Sequence, residues 1–192
     1  MIRIALIGDI GSGKTHVSKK FNYPVFNADN EVSKLYKKNI KCFNKFKKIF
    51  PKYITKFPIE KKQLTKVILA NPSNLKKIVK IIHPEVQHCM NKFLKKNKNS
   101  KIVVLDIPLL LENKINKKGD ILIFVDANKN EINKRLKKRK NINMKLVKKL
   151  KELQLPVETK KKKANFIIKN NFNNNFVKKS VKNILNNILS YD

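Results

Sequence analysis

The sequence predicts an α/β fold in which a parallel β-sheet is covered by helices on both faces. Three observations lead to this prediction. Several short segments are almost uniformly apolar, the segments between them carry apolar residues at helical spacing, and a glycine-rich turn follows the first apolar segment. Uniformly apolar strands that alternate with helices are typical of parallel sheets buried on both faces.

The predicted strands are short, and helical or polar segments separate them. The first strand runs directly into Gly8, and Pro24 marks the start of the second, a position at which a strand tolerates proline. In chain order, the strands are expected at 2–7, 23–26, 101–107, 120–126 and 165–169. Helices are expected at 14–21 and 130–139, and a final amphipathic helix is expected after the polar turn at 170–175.

Two further helical stretches interrupt this core. Residues 30–97 show helical periodicity, and we expect prolines to divide them, with His83-Pro84 closing one helix and opening the next. The dividing prolines are Pro51, Pro58, Pro72 and Pro84. The predicted core therefore comprises 1–29, 98–139 and 165–192, and the insertions are 30–97 and a lysine-rich, lid-like stretch at 140–164.

The formal net charge of +33 resembles that of nucleic-acid-binding proteins. However, the arginines are only Arg3, Arg135 and Arg139, and every other basic residue except histidine is lysine. A nucleic-acid surface favours arginine for bidentate contacts, whereas abundant lysine, asparagine and isoleucine together reflect A/T-rich codons. The lysines are also spread along the whole chain. We therefore favour codon composition over a nucleic-acid partner as the explanation of the charge.

The cysteines and the hydropathy pattern indicate a cytoplasmic protein. Cys42 and Cys89 form neither a CxxC pair nor a disulfide framework, which is typical of a reducing compartment. The first apolar run is too short for a signal peptide, and no stretch approaches the roughly 20 apolar residues that span a membrane. The chain of 192 residues suffices for one domain core with small insertions.

The glycine-rich turn fits the pattern GxxxxGK[ST] in full and has the required context, a strand before it and a helix after it. In such a P-loop the glycines let backbone N–H groups approach phosphate oxygens. Lys14 is expected to reach the β- and γ-phosphates of ATP, and the Thr15 hydroxyl is expected to hold Mg²⁺. The candidate nucleotide-binding residues are Gly8, Asp9, Ile10, Gly11, Ser12, Gly13, Lys14 and Thr15.

Asp29 comes just after the second predicted strand and Asp106 lies at the end of the third, and the carboxyl ends of strands line the ligand crevice of a parallel sheet. Asp29 is placed to accept a hydroxyl proton or to organise Mg²⁺, but it is equally suited to cap a helix that starts near Asn30. Position alone does not choose between these interpretations. Asp106 resembles a Walker B acid, and the alternative is a polar strand end.

Arg135 and Arg139 are four residues apart and are expected on one face of a helix. One is a candidate for stabilising charge on the γ-phosphoryl group, and the other for contacting the adenine nucleotide. The alternative is a pair of solvated charges. His16 and His88 have no ligand partner at metal spacing, so no zinc site is predicted.

Taken in order, these motifs resemble those of the dephospho-CoA kinase family, and the resemblance runs almost from end to end. The family's G-G-I-G-S-G-K-S/T has Asp9 at its second position here, and its D-A-D and A-D acids are replaced by Asn27 and Asn165. The matching segments are 8–15, Asn27-Ala28-Asp29, His83-Pro84, D-I-P-L-L-x-E at 106–112, Lys134-Arg135 with Arg139, and Gln154, Lys160, Ala164-Asn165 and Asn170.

The resemblance implies a three-layer P-loop fold with a five-stranded parallel sheet, a helical insertion that binds the CoA substrate, and a helical lid. It implies ATP-dependent phosphorylation of the ribose 3′-hydroxyl of dephospho-CoA, the last step of coenzyme A biosynthesis. By resemblance, Lys14, Asp29 and Arg139 are catalytic, with Asp29 receiving the hydroxyl proton. The substrate-binding residues implied are Asp29, His83, Asp106 and Leu109.

The expected partner is thus a small molecule, with the chain a monomer or a weak homo-oligomer. Two other functions remain open from the residues. One is a P-loop kinase for a nucleoside or nucleoside monophosphate, and the other is a basic nucleic-acid-binding module with a vestigial P-loop. The second alternative lacks an aromatic-rich basic motif.

Overall fold

The computed structural model describes residues 1–71, 73–139 and 143–190. Within them, parallel strands form a five-stranded sheet in the order β2-β3-β1-β4-β5, which confirms the predicted class. The strands are β1 (Ile2–Ile7), β2 (Val25–Asn27), β3 (Ile102–Asp106), β4 (Ile121–Asp126) and β5 (Phe166–Lys169). Each lies within about two residues of its predicted position, because uniformly apolar runs bounded by polar residues mark buried strands clearly.

The helices follow the predicted alternation with the strands. In chain order they are α1 (Lys14–Ser18), α2 (Ala28–Lys38), α3 (Ile40–Ile49), α4 (Lys61–Ala70), α5 (Ser73–Lys96), α6 (Lys129–Lys138), α7 (Met144–Glu152), α8 (Val157–Lys163) and α9 (Asn174–Leu189). A 3₁₀ turn at Lys19–Phe21 continues α1. No helix within the described residues is long and apolar enough to cross a membrane.

The chain divides into two compact units. The sheet unit comprises Met1–Asn27 and the chain from Asn97 onward, and the helical unit comprises Ala28–Lys96. Pro72 and residues 140–142, the latter at the start of the predicted lid, lie outside the described residues. The boundaries of the three predicted regions, including the lid, stay a prediction.

The core of the sheet unit joins the central strands to α9. Ile4 and Leu6 of β1 are fully buried and pack in one cluster with Val104 of β3 and Ile123 of β4. The helix α9 contributes its apolar face to the same cluster, through Val177, Val181, Ile184 and Ile188. Each such burial stabilises the fold by about 1.5–3 kcal/mol, so the strands hold the loops at their carboxyl ends in fixed positions.

The helical unit has a core of its own, rich in aromatic residues. Phe46 is fully buried on α3, and its ring meets Tyr36 edge-on with the centroids 5.7 Å apart. Phe50 lies 6.2 Å from Phe46 in a tilted arrangement. Tyr36 is half-buried, and this burial raises the pKa of its hydroxyl.

The prediction that His83-Pro84 separates two helices is wrong, because Pro84 lies inside the 24-residue helix α5. Proline removes one hydrogen bond from a helix interior, at a cost of about 3 kcal/mol. The buried face of α5 continues on both sides of the proline, with Ile81 and Ile82 before it and Met90 after it. Packing of this face offsets the local cost, so the helix does not end there.

Candidate phosphate-binding site

The P-loop (residues 8–15) connects β1 to α1 in the way its sequence predicts. The carbonyl of Gly13 accepts from the N–H groups of His16 and Val17, at 2.9 and 3.0 Å, and so begins the helix. Gly13 has φ of 90°, and a side chain there would collide with the amide of Asn170. A side chain at Gly8 would meet the Val125 carbonyl oxygen at 2.7 Å. Only glycine fits this closely packed loop at both positions.

Lys14 lies over the loop that precedes it. Its Nζ donates to the carbonyl oxygens of Gly8 and Asp9, at 2.9 and 3.0 Å. These bonds hold the ammonium group beside the backbone that the sequence predicts to surround phosphate. The predicted role of Lys14 at the β- and γ-phosphates stays a prediction.

A compact polar group joins three elements of the sheet unit at the carboxyl ends of its strands. The Thr15 hydroxyl and the Asn27 amide each donate to Oδ2 of Asp106, both at 2.6 Å. Asp106 is 3% exposed and ends β3, where the sheet register pairs it with Asn27 of β2 and Leu6 of β1. Asn27 therefore supplies a hydrogen-bond donor where an acid would place a second negative charge beside Asp106.

The Thr15 and Asp106 pair has the donor chemistry that Mg²⁺ takes in kinases. Because the Thr15 hydroxyl gives its proton to Asp106, its oxygen lone pairs remain available to a cation. Mg²⁺ is usually bound by one or two protein oxygens together with substrate phosphates and water. The residues present fit that ion, and Asp106 fits the Walker B position.

On its other side, the P-loop contacts the segment 154–160. Gln154 accepts from the N–H of Ile10 at 3.2 Å, and its amide donates to the Gly8 carbonyl at 3.4 Å. Lys160 donates to the Asp9 carboxylate at 2.9 Å. Glu112 accepts from the N–H of Leu155 at 2.9 Å. These contacts attach the predicted lid region to three consecutive loop residues.

A buried asparagine supports the loop from the end of β5. The Asn170 amide donates to the Ser12 carbonyl at 2.8 Å, and its oxygen accepts from the N–H of Phe172. Asn165 serves the sheet instead, since its side-chain oxygen accepts from the N–H of Leu122 on β4 at 2.8 Å. Sequence reasoning matched both asparagines to a motif but did not find these contacts, which join residues far apart in the chain.

The prediction that Arg135 and Arg139 share one helix face is wrong. The helix α6 ends at Lys138, and Arg139 follows it in an extended conformation with ψ of 119°. The Arg135 guanidinium lies 4.1 Å from the ring centroid of Phe172, a cation–π distance. The two arginines are thus held by different backbone environments.

His16 lies on α1 next to the P-loop. Its pKa is lowered from 6.5 by burial first, and then by the positive charges of Lys20 and Arg135, while a hydrogen bond with Asn174 opposes the shift. Its Nε2 is buried and has no hydrogen-bond partner among the described residues. The neutral imidazole is therefore favoured at this position.

The remaining predicted substrate residues are Asp29, His83 and Leu109. Asp29 is exposed in the first turn of α2. Because α2 begins at Ala28, Asp29 lies inside the helix and does not occupy the cap position that the alternative interpretation proposed. His83 is exposed on α5 of the helical unit. Leu109 lies in the turn after β3 with φ of 55°, a conformation rare for leucine. Their predicted roles in catalysis or substrate binding stay predictions.

Comparison with known proteins agrees with this geometry. The family model described as dephospho-CoA kinase matches residues 2–175. A dephospho-CoA kinase of Wolbachia pipientis wMel is 33% identical over 190 residues, covering 96% of this chain and 97% of that protein. One from Zymomonas mobilis is 31% identical over 176 residues, covering 90% and 89%.

Solved structures share the fold. The protein TT1252 from Thermus thermophilus superposes with a TM-score of 0.80 at 25% identity, covering 97% of both chains. Dephospho-CoA kinase from Campylobacter jejuni superposes with a TM-score of 0.63 at 21% identity, covering 97% of this chain and 96% of that one. With its P-loop, its parallel sheet and a family match over most of its length, the chain belongs to the dephospho-CoA kinase family of ATP-dependent kinases.

Proposed function

We propose that the chain transfers the γ-phosphoryl group of ATP to the ribose 3′-hydroxyl of dephospho-CoA, which gives coenzyme A and ADP and completes coenzyme A biosynthesis. The observation that carries the proposal is the loop at 8–15 with Lys14 above it and Thr15 bonded to Asp106. In the reaction the 3′-oxygen forms a bond to the γ-phosphorus, and the bond from that phosphorus to the β,γ-bridging oxygen breaks.

The P-loop binds the donor in this proposal. Backbone N–H groups of the loop and the Lys14 ammonium bind the phosphates of ATP. Thr15 and Asp106 would hold Mg²⁺, directly or through water. At this position Mg²⁺ would supply neutralisation of phosphate charge, and the chain itself would mainly orient the nucleotide. Arg135 contacts the adenine nucleotide, and Arg139 stabilises charge on the transferring group.

Asp29 acts on the acceptor in this proposal. Its carboxylate accepts the proton of the 3′-hydroxyl as the new bond to phosphorus forms. Its place in the first turn of α2 suits a carboxylate, because a negative charge interacts favourably with the positive end of the helix dipole. His83 and Leu109 contribute to dephospho-CoA binding. These roles rest on the family resemblance of the motifs.

The proposed cellular setting is the cytoplasm, where thiols stay reduced. Cys42 and Cys89 are both free thiols, and burial raises the pKa of each, so neither is primed for oxidation. The proposed acceptor is a small molecule, and the proposed assembly state is a monomer or a weak homo-oligomer.

An acceptor panel tests the function. The purified chain is incubated with ATP, Mg²⁺ and either dephospho-CoA or one of a set of nucleosides and nucleoside monophosphates, and ADP release and product mass are measured. We expect ADP and a product heavier by one phosphate with dephospho-CoA, and the Lys14→Met variant serves as the blank. Clear turnover of a nucleoside or nucleotide without turnover of dephospho-CoA would overturn the proposal.

A further inference from the structure

Lys160 differs from the lysines around it. It is 2% exposed, whereas Lys161, Lys162 and Lys163 on the same helix are partly or fully exposed. Among the described residues it is the lysine whose side chain is buried. A lysine is almost never fully buried unless it is paired, so this position calls for an explanation in terms of its partners.

The principal partner of Lys160 is a carboxylate of the P-loop. Lys160 Nζ lies 2.9 Å from Oδ1 of Asp9 and 3.9 Å from Oε1 of Glu112. The Asp9 side chain is 28% exposed, and Asp9 is the second residue of the loop. A loop that binds a polyanion thus carries a negative charge of its own, which opposes phosphate binding unless it is neutralised.

Neighbouring contacts hold Lys160 in place. Gln154 bonds to the loop residues on both sides of Asp9, and Leu155 donates to Glu112. The segment 154–160 therefore contacts Gly8, Asp9 and Ile10 in succession. Because the ammonium group is fixed by this network, it meets the Asp9 carboxylate without the cost of ordering an exposed lysine.

We infer that Lys160 is a positioning residue for ATP, which neutralises Asp9 and so keeps the P-loop receptive to phosphate. The inference rests on the proposed use of ATP but not on the identity of the acceptor. A buried ion pair adds little net stability by itself, so a purely stabilising role explains the pair poorly. Lys160 acts here through Asp9 and does not itself contact the nucleotide.

A double-mutant cycle tests the inference with Lys160→Met, Asp9→Asn and the two combined. The dissociation constant of ATP is measured by titration calorimetry, and KM and kcat are measured where turnover is found. We expect Lys160→Met to weaken ATP binding about tenfold with little change in kcat, because one unneutralised charge then faces the phosphates. We expect Asp9→Asn to bind ATP more tightly than the parent, because a negative charge of the loop is lost, and the double variant to recover the affinity that Lys160→Met loses.

Control variants distinguish a role of Lys160 in ATP binding from an effect on folding or on the acceptor. Lys162→Met removes an exposed charge from the same helix and is expected to leave ATP affinity unchanged. Lys160→Arg keeps the charge and is expected to retain affinity, and thermal unfolding shows whether each variant folds. ATP binding needs no acceptor, so it is readable even if dephospho-CoA is not a substrate.

Three results would overturn the inference. Unchanged affinity in Lys160→Met would remove any role in ATP binding. A double variant as weak as Lys160→Met would mean that Lys160 acts on the nucleotide or the fold directly. Weaker binding by Asp9→Asn, a variant available even if Lys160→Met fails to fold, would mean that the Asp9 charge assists ATP.

Discussion

The interior of the sheet unit differs from the interior of the helical unit in its buried polar side chains. Among the described residues, every buried polar side chain belongs to the sheet unit, and most of them contact the P-loop or its partners: Ser12, Ser18, Asp106, Lys160 and Asn170. The buried residues of the helical unit are apolar, and they include the rings of Phe43, Phe46 and Phe50 among a larger number of aliphatic side chains.

This difference separates function from stability within one chain. Buried polar groups cost free energy unless each finds its partner, so they persist where a site needs them. An apolar core tolerates the exchange of one apolar side chain for another of similar volume, but its packing determines the stability of the unit. Substitutions around the P-loop should therefore change activity more than stability, and substitutions in the aromatic core should do the reverse.

The largest expected effect on activity is an exception to this division, because Asp29 belongs to the helical unit. Asp29→Asn should lower turnover about 10²–10⁴-fold, since the hydroxyl proton loses its acceptor, while ATP affinity stays near the parental value. Steady-state kinetics and ATP titration measure the two effects. Glu31→Gln, in the same helical turn, is the matched control. Unchanged turnover would leave Asp29 only a role in stabilising the start of α2.

Lys14→Met should lower kcat/KM about 10²–10³-fold, because a cation placed on the transferring phosphates is lost. The melting temperature should change little, since the Lys14 bonds to Gly8 and Asp9 are partly exposed. Lys19→Met, on an exposed lysine in the next turn, is the control. A loss of stability as large as the loss of activity would contradict the division between the units.

Phe46→Ala tests the apolar core of the helical unit. Loss of this fully buried ring should lower the free energy of unfolding by about 3–5 kcal/mol, as measured by denaturant titration. The exposed Phe57, 40% accessible, should cost far less when replaced by alanine. ATP affinity of the folded Phe46→Ala protein should be unchanged, and a large loss of affinity would count against the division.

Asp106→Asn should raise the Mg²⁺ concentration needed for half-maximal activity about 10–100-fold, because the Thr15 hydroxyl loses its charged acceptor. A titration of activity against Mg²⁺ measures this. Asp120→Asn is the control, since that carboxylate pairs with Arg3 at the other end of the strands and should affect stability alone. An equal Mg²⁺ requirement in the Asp106 variant would remove this residue from the metal site.

The smallest effect concerns His16. Because burial and nearby cations lower its pKa below 6.5, the unfolded chain binds this proton more readily than the folded chain. Stability from this group is therefore present above pH 6.5 and declines as pH falls below it. The parent should lose stability relative to His16→Asn between about pH 7 and pH 5, and a constant difference in melting temperature would contradict the shift.

Sequence reasoning recovered the parts of the molecule that local pattern determines. The strands and the P-loop were predictable because burial on both faces leaves an apolar run and because phosphate contact demands glycine. Pro84 misled the prediction because its cost is local, whereas the packing of α5 that offsets it is tertiary. Motif spacing singled out Lys160 within the lysine run at 160–163, but its pairing with Asp9 could not be predicted, since only the folded chain brings the two together.

The most direct test of the central claim is the position of the phosphate that the chain adds to dephospho-CoA. The product of the reaction with ATP and Mg²⁺ is analysed by phosphorus NMR, and the 3′-deoxy analogue of the acceptor is assayed in parallel. We expect a new phosphomonoester on the ribose 3′-oxygen and no transfer to the 3′-deoxy analogue. Phosphate at another position, or equal transfer to the analogue, would contradict it.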